Sequence, residues 1–330
     1  MFLRSFVALI AAALLSTVGV ASQPVAAADY PSRPVTIVVP YGPGGGVGIN
    51  TRALAPHLEK ALGQKVLVVH RTGAGGVTGH TIGAFAKPDG YTLTMVSTGI
   101  AAAPWLVPGV KFTPEDYAYI GQVSFVPNFL IVAKDSPYKT VSDLVAAMKK
   151  APGEFPAGMT NGWPSSTIAQ VMFLDQAGVE AKVVPGFKGG ASKMAALLGH
   201  HISFSFNNVN EVLPQVGEGG KIRVLAACAL ERSPFLPDVP TFKELGMNVT
   251  LGVWRTLAAP KDTPQEILDT LNAALVKALN TPELKADFKK VGLTVDYLNP
   301  QDTRELVMQQ YQDLGRLFTK LGINVKTKKM

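Results

Sequence analysis

Two glycine-rich stretches are the residues in this chain whose types and spacing favour ligand chemistry. Residues 41–48 read YGPGGGVG and residues 71–79 read RTGAGGVTG, and each follows a short apolar run typical of a buried strand. Glycine lets the backbone approach a ligand closely, and the helix that starts behind such a loop adds partial positive charge. Both loops are expected at the carboxyl ends of neighbouring parallel strands, where open α/β sheets bind ligands. The sequence therefore predicts an anion site formed by backbone N–H groups, without lysine or arginine.

The first candidate ligand-binding residues come from these loops and from the end of the next predicted strand. We expect the backbone at Gly45, Gly46, Ala74 and Gly75 to hold the anion. The nearby hydroxyl donors are Thr78, Ser97 and Thr98, and the other candidates in the loops are Tyr41, Gly44, Gly48 and Gly76.

The loops allow two other interpretations. A single glycine-rich loop can simply accommodate a tight bend, but two at adjacent strand ends favour a site. A dinucleotide fold would require G-x-G-x-x-G, and the last position is Val47 when counted from Gly42 and Ile49 when counted from Gly44. The second glycine loop also occupies the place of the ribose.

Motifs for other chemistry are missing from the sequence. It contains no Walker A, G-x-S-x-G or H-E-x-x-H pattern. His200 and His201 are adjacent, which makes a poor metal pair and favours a surface turn. Cys228 is the only cysteine and lies in an apolar run, so we expect a buried, inert thiol and no internal disulfide. These observations favour a binding protein over an enzyme, with no metal or cofactor.

The first 28 residues have the pattern of a signal peptide. Arg4 is their only charge, an apolar run covers residues 5–21, and Ala26 and Ala28 form an A-x-A site before Asp29. The run is at the short end of the membrane-spanning range, so the alternative is an uncleaved anchor. We predict export, cleavage before Asp29 and a soluble mature protein.

The remainder of the chain alternates predicted strands and helices, which indicates a parallel α/β fold. Strands are predicted at residues 35–39, 66–69, 91–96, 129–133, 202–206 and 222–229, and helices at 79–86, 140–150, 165–178, 190–199, 263–278 and 303–321, besides one that follows the first glycine loop and ends near Leu62. Pro56 predicts a kink or an irregular first turn in that helix. Thr140 and Ser165 are predicted N-caps, and Thr263 and Glu266 a capping box. The net charge of +7 is scattered, so no nucleic-acid partner is expected.

Several of these stretches occur together in one known family. They are residues 30–40 (YPSRPVTIVVP) with 43–46 (PGGG), 73–76 (GAGG) with 88–91 (PDGY), 187–189 (FKG), and 257–260 (LAAP) before Thr263 and Pro264. Their combined order over residues 29–322 resembles the substrate-binding proteins of tripartite tricarboxylate transporters, the Bug family.

The resemblance implies a two-lobed periplasmic binding protein of type II with the ligand between the lobes. One lobe would comprise residues 29–130 plus 253–330, and the other residues 131–252. It also implies a small di- or tricarboxylate, held by the glycine loops and by the second lobe at Ser165, Ser166, Lys188 and Asn207, with Phe187 as a further candidate. The ligand would pass to membrane permease subunits, and we expect a monomer. A ligand sensor remains an alternative, since transport and sensing use the same binding fold.

Two departures from the family pattern bear on the ligand. Val47 and Gly48 stand where the family usually has Thr-Asp, and Asn207 stands where an aspartate is common. Loss of both acids predicts an anion without a free amine and favours a dicarboxylate, aromatic ones included. The alternative is that neither position touches the ligand. Contact of Trp163 and Phe187 with the ligand is left open.

Overall fold

The computed structural model describes residues 30–160, 163–187 and 189–323. The predicted signal peptide and Lys188 lie outside the described residues. The strands are β1 (Val35–Val39), β2 (Val66–His70), β3 (Thr92–Ser97), β4 (Tyr117–Ala133), β5 (Pro156–Thr160), β6 (Lys182–Phe187), β7 (Ser205–Asn208), β8 (Ile222–Ala227) and β9 (Gly252–Pro260). The helices are α1 (Gly46–Leu62), α2 (Val77–Ala84), α3 (Gly99–Leu106), α4 (Val141–Lys150), α5 (Ser165–Ala177), α6 (Gly190–Leu198), α7 (Val209–Val212), α8 (Gln265–Leu279), α9 (Pro282–Lys290) and α10 (Pro300–Lys320).

The main sheet has the strand order β2-β1-β3-β9-β4-β7, with β8 also paired to β4. β1 runs parallel to β2 and to β3, so the two glycine loops follow neighbouring parallel strands as predicted. The sheet is not parallel throughout, however. β9 is antiparallel to β3 and to β4, and β4 is antiparallel to β7 and β8. The expectation of a parallel sheet is therefore correct for the first three strands and wrong beyond them.

β4 is much longer than the predicted strand at residues 129–133. Its first part pairs with β9 from Tyr117 to Pro127, and its last part pairs with β7 and β8. Two register shifts interrupt the pairing with β9, and the buried polar Gln122, Ser124 and Asn128 interrupt its apolar pattern. Because the strand is bulged and carries buried polar groups, no apolar run marks its first twelve residues.

A second, two-stranded parallel sheet pairs β5 with β6. Neither strand is among those predicted from the sequence. β6 is mostly exposed and lacks an apolar face, so no pattern marks it. β5 leads into α5 and β6 leads into α6, so this sheet repeats the strand–loop–helix arrangement of the first glycine loop. The strand predicted at residues 202–206 is β7, which begins three residues later.

The helix starts show which predicted caps form. Thr140 caps α4 with its side chain, and Asp143 completes the capping box. Thr263 makes no such box, because its hydroxyl donates to the Pro260 carbonyl at 2.7 Å and Pro264 precedes α8. Ser165 is the first residue of α5 and Pro164 precedes it, so Ser165 is not the cap either. α1 continues through Pro56 to Leu62.

Cys228 and His200 lie in the surroundings that the sequence predicts for them. Cys228 is fully buried, and burial raises the pKa of its thiol well above its ordinary value. His200 is exposed, and its Nε2 atom lies 3.3 Å from Oδ2 of Asp135. No cluster of metal-ligating side chains occurs among the described residues, and none of the helices described here could cross a bilayer.

Candidate functional site

A cavity of about 390 Å³ lies where both glycine loops and the starts of α5 and α6 meet. Of the candidate residues, it is lined by Tyr41, Gly45, Gly46, Gly75, Ser97, Thr98, Ser165 and Ser166. Residues outside that candidate set also line it: Val47, Gly99, Thr160, Trp163, Pro164, Gly189, Gly190, Asn208, Glu211, Val253 and Arg255. The cavity has the dimensions of a small-molecule site.

The first glycine loop presents the start of α1 to the cavity. Gly46 and Val47 line it, and no side chain caps the helix, which leaves first-turn N–H groups available. The N–H of Gly45 is already used, since it donates to the Gly42 carbonyl at 3.1 Å. Gly44 is exposed and does not line the cavity. The available donors in this loop are therefore the N–H groups of Gly46 and Val47, and not those of the predicted pair Gly45 and Gly46.

Gly48 is placed away from the cavity. A Cβ there would lie 3.0 Å from the carbonyl oxygens of Gly42 and Pro43 and from the ring of His70. Close packing of the loop against α1 accounts for this glycine. Position 48 therefore lies outside the site, and the absence of an acid there does not bear on the charge of the ligand.

The second glycine loop turns through left-handed backbone at three successive residues. Ala74, Gly75 and Gly76 have φ of 46°, 68° and 102°. Gly75 lines the cavity, whereas Ala74 and Thr78 are exposed and do not. The N–H of Gly76 donates to the Gly73 carbonyl, and a Cβ on Gly76 would lie 2.8 Å from the Tyr41 ring. Gly76 thus seats Tyr41, and Gly75 faces the cavity.

Tyr41 joins the two loops to the end of β3. Its hydroxyl accepts a hydrogen bond from Ser97 at 3.3 Å and lies 3.4 Å from His80 Nε2. Burial raises the pKa of Tyr41 and lowers the pKa of His80 to about 3, so both are neutral at physiological pH. The Thr98 hydroxyl donates to the Gly252 carbonyl at 2.9 Å and so ties β3 to the start of β9.

The start of α5 forms the opposite wall. The N–H groups of Thr167 and Ile168 donate to the Pro164 carbonyl, and no side chain caps this helix. Ser165 and Ser166 are buried and line the cavity. The Ser165 hydroxyl donates to Asn128 Oδ1 at 3.4 Å, so the backbone N–H groups of both serines and the Ser166 hydroxyl remain for a ligand.

A buried lysine supports Ser166. The Lys193 ammonium donates to Ser166 Oγ at 3.1 Å and to the Phe206 carbonyl at 2.7 Å. Burial lowers its pKa to about 8, while Glu211 favours its charged form. Because Ser166 Oγ accepts from Lys193, its own proton can point into the cavity. The sequence signal for Lys193 was its place on the face of α6 that buries Met194 and Leu197.

Asn207 lies behind the cavity wall. Its amide donates to the Gly190 carbonyl at 3.1 Å and to Glu211 Oε2 at 3.0 Å, and its oxygen accepts from Ser205. All its groups are engaged, so it positions Glu211 and is not placed to donate to a ligand. Glu211 itself lines the cavity, which corrects the expectation of an acid-free cleft.

The two aromatic candidates differ. Trp163 lines the cavity with a left-handed φ of 55°, and its ring packs on Phe318 at 5.7 Å. Phe187 does not line it, and its ring lies against Gly158, where a Cβ would be 3.0 Å away. Trp163 therefore has access to a ligand, and Phe187 supports the wall.

The expectation that no lysine or arginine lies beside the glycine loops is wrong. Arg255, on β9, lines the cavity and is 2% exposed. Its Nη2 atom lies 2.7 Å from the place of a Cβ on Gly46. Sequence reasoning missed Arg255 because more than 200 residues separate it from the loop, and no local pattern predicts the pairing of β9 with β3.

The geometry favours binding of anions. α1, α3, α5 and α6 all begin at residues that line or directly flank the cavity, and none of the four has a side-chain cap. Elsewhere in the described chain, Thr140, Thr281 and Asn299 cap α4, α9 and α10, whereas α2 and α8 also begin without a side-chain cap. Each uncapped start presents free N–H groups and partial positive charge. The arrangement therefore suits a small molecule with negative groups at more than one end.

Comparison with known proteins places this chain in a family. Residues 50–323 match the family described as "Tripartite tricarboxylate transporter family receptor". The chain belongs to this receptor family. BugT of Bordetella pertussis is 30% identical over 316 residues, covering 94% of this chain and 96% of that protein.

Solved structures of similar proteins share the fold. MatC of Rhodopseudomonas palustris with bound malate is 27% identical, has a TM-score of 0.73, and covers 87% of this chain and 99% of its own. Rpa4515 of R. palustris with adipate is 28% identical and has a TM-score of 0.76. The match covers 90% of this chain and 99% of that chain. The protein thus has the α/β fold of the periplasmic binding proteins, and the family to which it belongs is one of transporter receptors and not of enzymes.

Proposed function

We propose that the protein is a periplasmic receptor that captures a small dicarboxylate in this cavity and delivers it to membrane permease subunits. The observation that carries the proposal is the convergence of four uncapped helix starts on one cavity. Because two of them belong to the glycine-loop side and two to the opposite side, each end of the ligand meets its own donors. Receptors of similar sequence with malate and with adipate support this ligand class.

One carboxylate is proposed to lie at the glycine loops. Its donors are the N–H groups of Gly46 and Val47, with Gly75 and the Tyr41–Ser97 pair beside them. Anions at a helix start are stabilised by free N–H groups and by the helix dipole together.

The second carboxylate is proposed to lie at the start of α5. Ser165 and Ser166 supply N–H groups, and the Ser166 hydroxyl is oriented by Lys193. The Lys193 ammonium offsets the nearby charge of Glu211, so the uncapped starts of α5 and α6 supply the favourable potential for an anion at this wall.

We retain the two-lobe division, with residues 29–130 plus 253–330 against residues 131–252, as part of the proposal. β4 exchanges its partner β9 for β7 and β8 between Pro127 and Phe129, and β9 begins at Gly252. These strands connect the cavity walls, so a bend in them would close the walls on a ligand.

Binding of succinate, malate, adipate and phthalate tests the ligand class, with butyrate and aspartate as comparisons. We expect at least one dicarboxylate to stabilise the protein by about 2.7 kcal/mol at 100 times its Kd. Butyrate lacks a group for the second wall and should bind at least tenfold more weakly than succinate. Thermal unfolding followed by calorimetric titration measures both. The proposal fails if no dicarboxylate binds, or if butyrate binds as tightly.

Export is proposed with cleavage between Ala28 and Asp29, on the A-x-A pattern. The intact mass of the protein recovered from a periplasmic extract is expected to correspond to a chain beginning at Asp29. A recovered chain that still carries Arg4 would contradict cleavage.

A further inference from the structure

We propose that Arg255 binds one ligand carboxylate directly and makes an ionised carboxylate obligatory at the glycine-loop end of the cavity. The inference rests on the proposed function and adds to it the residue that sets specificity. It turns a site predicted to depend on backbone N–H groups into one with a charged anchor.

The position of Arg255 is fixed by the sheet. β9 lies between β3 and β4, and Arg255 is opposite Ser97 on one side and Ser124 on the other. From there its side chain reaches the start of α1, where Nη2 lies against Gly46. Since any other residue at 46 would place a Cβ 2.7 Å from this nitrogen, glycine is what allows the guanidinium to lie beside the loop.

Few contacts satisfy the Arg255 guanidinium. Its hydrogen bond from Nη1 to Ser124 Oγ is 3.5 Å long, and that oxygen already accepts from Asn50 at 2.9 Å. Nε is buried and has no hydrogen-bond partner within the described part of the chain. A guanidinium carries five N–H donors, so most of this group is left without an acceptor.

No carboxylate compensates its charge. Arg255 forms no ion pair with any residue that the structure describes. Glu211 lines the same cavity, but it is bonded to Asn207 and to the N–H of Asn208. Burial lowers the pKa of Arg255 to about 10, which still leaves it charged at neutral pH. A buried charge without a partner is strongly unfavourable.

A carboxylate ligand would supply both the missing hydrogen-bond acceptors and the missing negative charge. The planar guanidinium fork matches two carboxylate oxygens, and the N–H groups of Gly46 and Val47 lie next to it at the cavity wall. The alternative is that Arg255 only supports Ser124 and the sheet. A supporting arginine would affect stability, whereas an anchoring arginine affects affinity while the unliganded protein stays at least as stable.

The test compares Arg255→Met, Arg255→Lys and the control Arg52→Met, which removes an exposed positive charge from α1. Calorimetry measures the affinity of each protein for succinate, malate and adipate. Thermal unfolding with and without sulfate tests whether an anion that is not a carboxylate also stabilises the protein. We expect Arg255→Met to weaken dicarboxylate binding at least 100-fold and Arg255→Lys at least tenfold, because lysine keeps the charge without the fork. Arg52→Met should bind like the wild type. The unliganded Arg255→Met protein should melt no lower than the wild type.

The outcomes separate this inference from the proposed function. If the wild type binds a dicarboxylate and Arg255→Met binds it with the same affinity, the inference is overturned and the proposed function stands. If Arg255→Met does not fold, unchanged affinity in Arg255→Lys overturns it equally. Stabilisation by sulfate that depends on Arg255, with no dicarboxylate binding, supports the anchor and overturns the ligand class. No response of the wild type to any of these anions overturns both.

Discussion

Replacing Gly46 by alanine should reduce dicarboxylate affinity at least 100-fold while the protein still folds. The new Cβ would lie 2.7 Å from Arg255 Nη2 and would push the guanidinium away from the loop. The group in the way is the end of a flexible side chain, and alanine is favourable at a helix start in ordinary right-handed backbone. Calorimetric titration measures the affinity, and circular dichroism shows whether the fold is kept.

Gly44→Ala is the matched control in the same loop. Nothing lies within 4 Å of a Cβ at Gly44, and this residue does not line the cavity. Its affinity should stay within about threefold of the wild type. Wild-type affinity in Gly46→Ala, or an equal loss in Gly44→Ala, would show that the contact between Gly46 and Arg255 does not form the site.

Replacing Lys193 by methionine should weaken dicarboxylate binding about tenfold and remove its pH dependence between pH 7 and 9. The pKa of Lys193 is about 8, so the wild-type ammonium loses its proton in this range. Above pH 8 the positive charge near Ser166 disappears, and wild-type affinity should fall. Arg255 stays charged because its pKa is about 10, and simple dicarboxylates stay ionised.

The stability of the same variant checks the pKa of Lys193. The pKa of Lys193 in the folded chain, about 8, lies below the ordinary lysine value of 10.5 because burial disfavours the ammonium. Between these values the unfolded chain binds the proton and the folded chain does not, so this group makes stability rise with pH from 8 to about 10.5. Urea unfolding at several pH values should show the rise in the wild type relative to Lys193→Met.

Lys150→Met is the control for the lysine variant, since Lys150 is exposed at the end of α4. It should leave both the affinity and its pH profile unchanged. A Lys193→Met protein whose affinity still falls between pH 7 and 9 would assign the titration to another group.

The parts of the site that follow a local pattern were predictable from the sequence. Glycine-rich loops after apolar runs indicate strand–loop–helix units, and the structure places both loops after adjacent parallel strands. The starts of α5 and α6 were also indicated by Ser165 and by the Gly189–Gly190 pair. Each of these signals is contained in fewer than about twenty residues.

The charged groups of the site were not predictable in this way. Arg255 and Glu211 reach the cavity through strand pairings and helix positions set by distant residues. Gly48 and Asn207, in contrast, were assigned to the site although neither lines the cavity. A departure from a family pattern does not tell which way a position faces. The structure turns Gly48 towards the backbone of its own loop and Asn207 towards Glu211.

A crystal structure with the tightest-binding dicarboxylate tests the central claim most directly. The ligand should lie in the cavity, with one carboxylate bonded to Arg255 and the N–H of Gly46 and the other to Ser165 or Ser166. A ligand bound elsewhere, or one whose carboxylates face neither Arg255 nor the start of α5, would contradict the account.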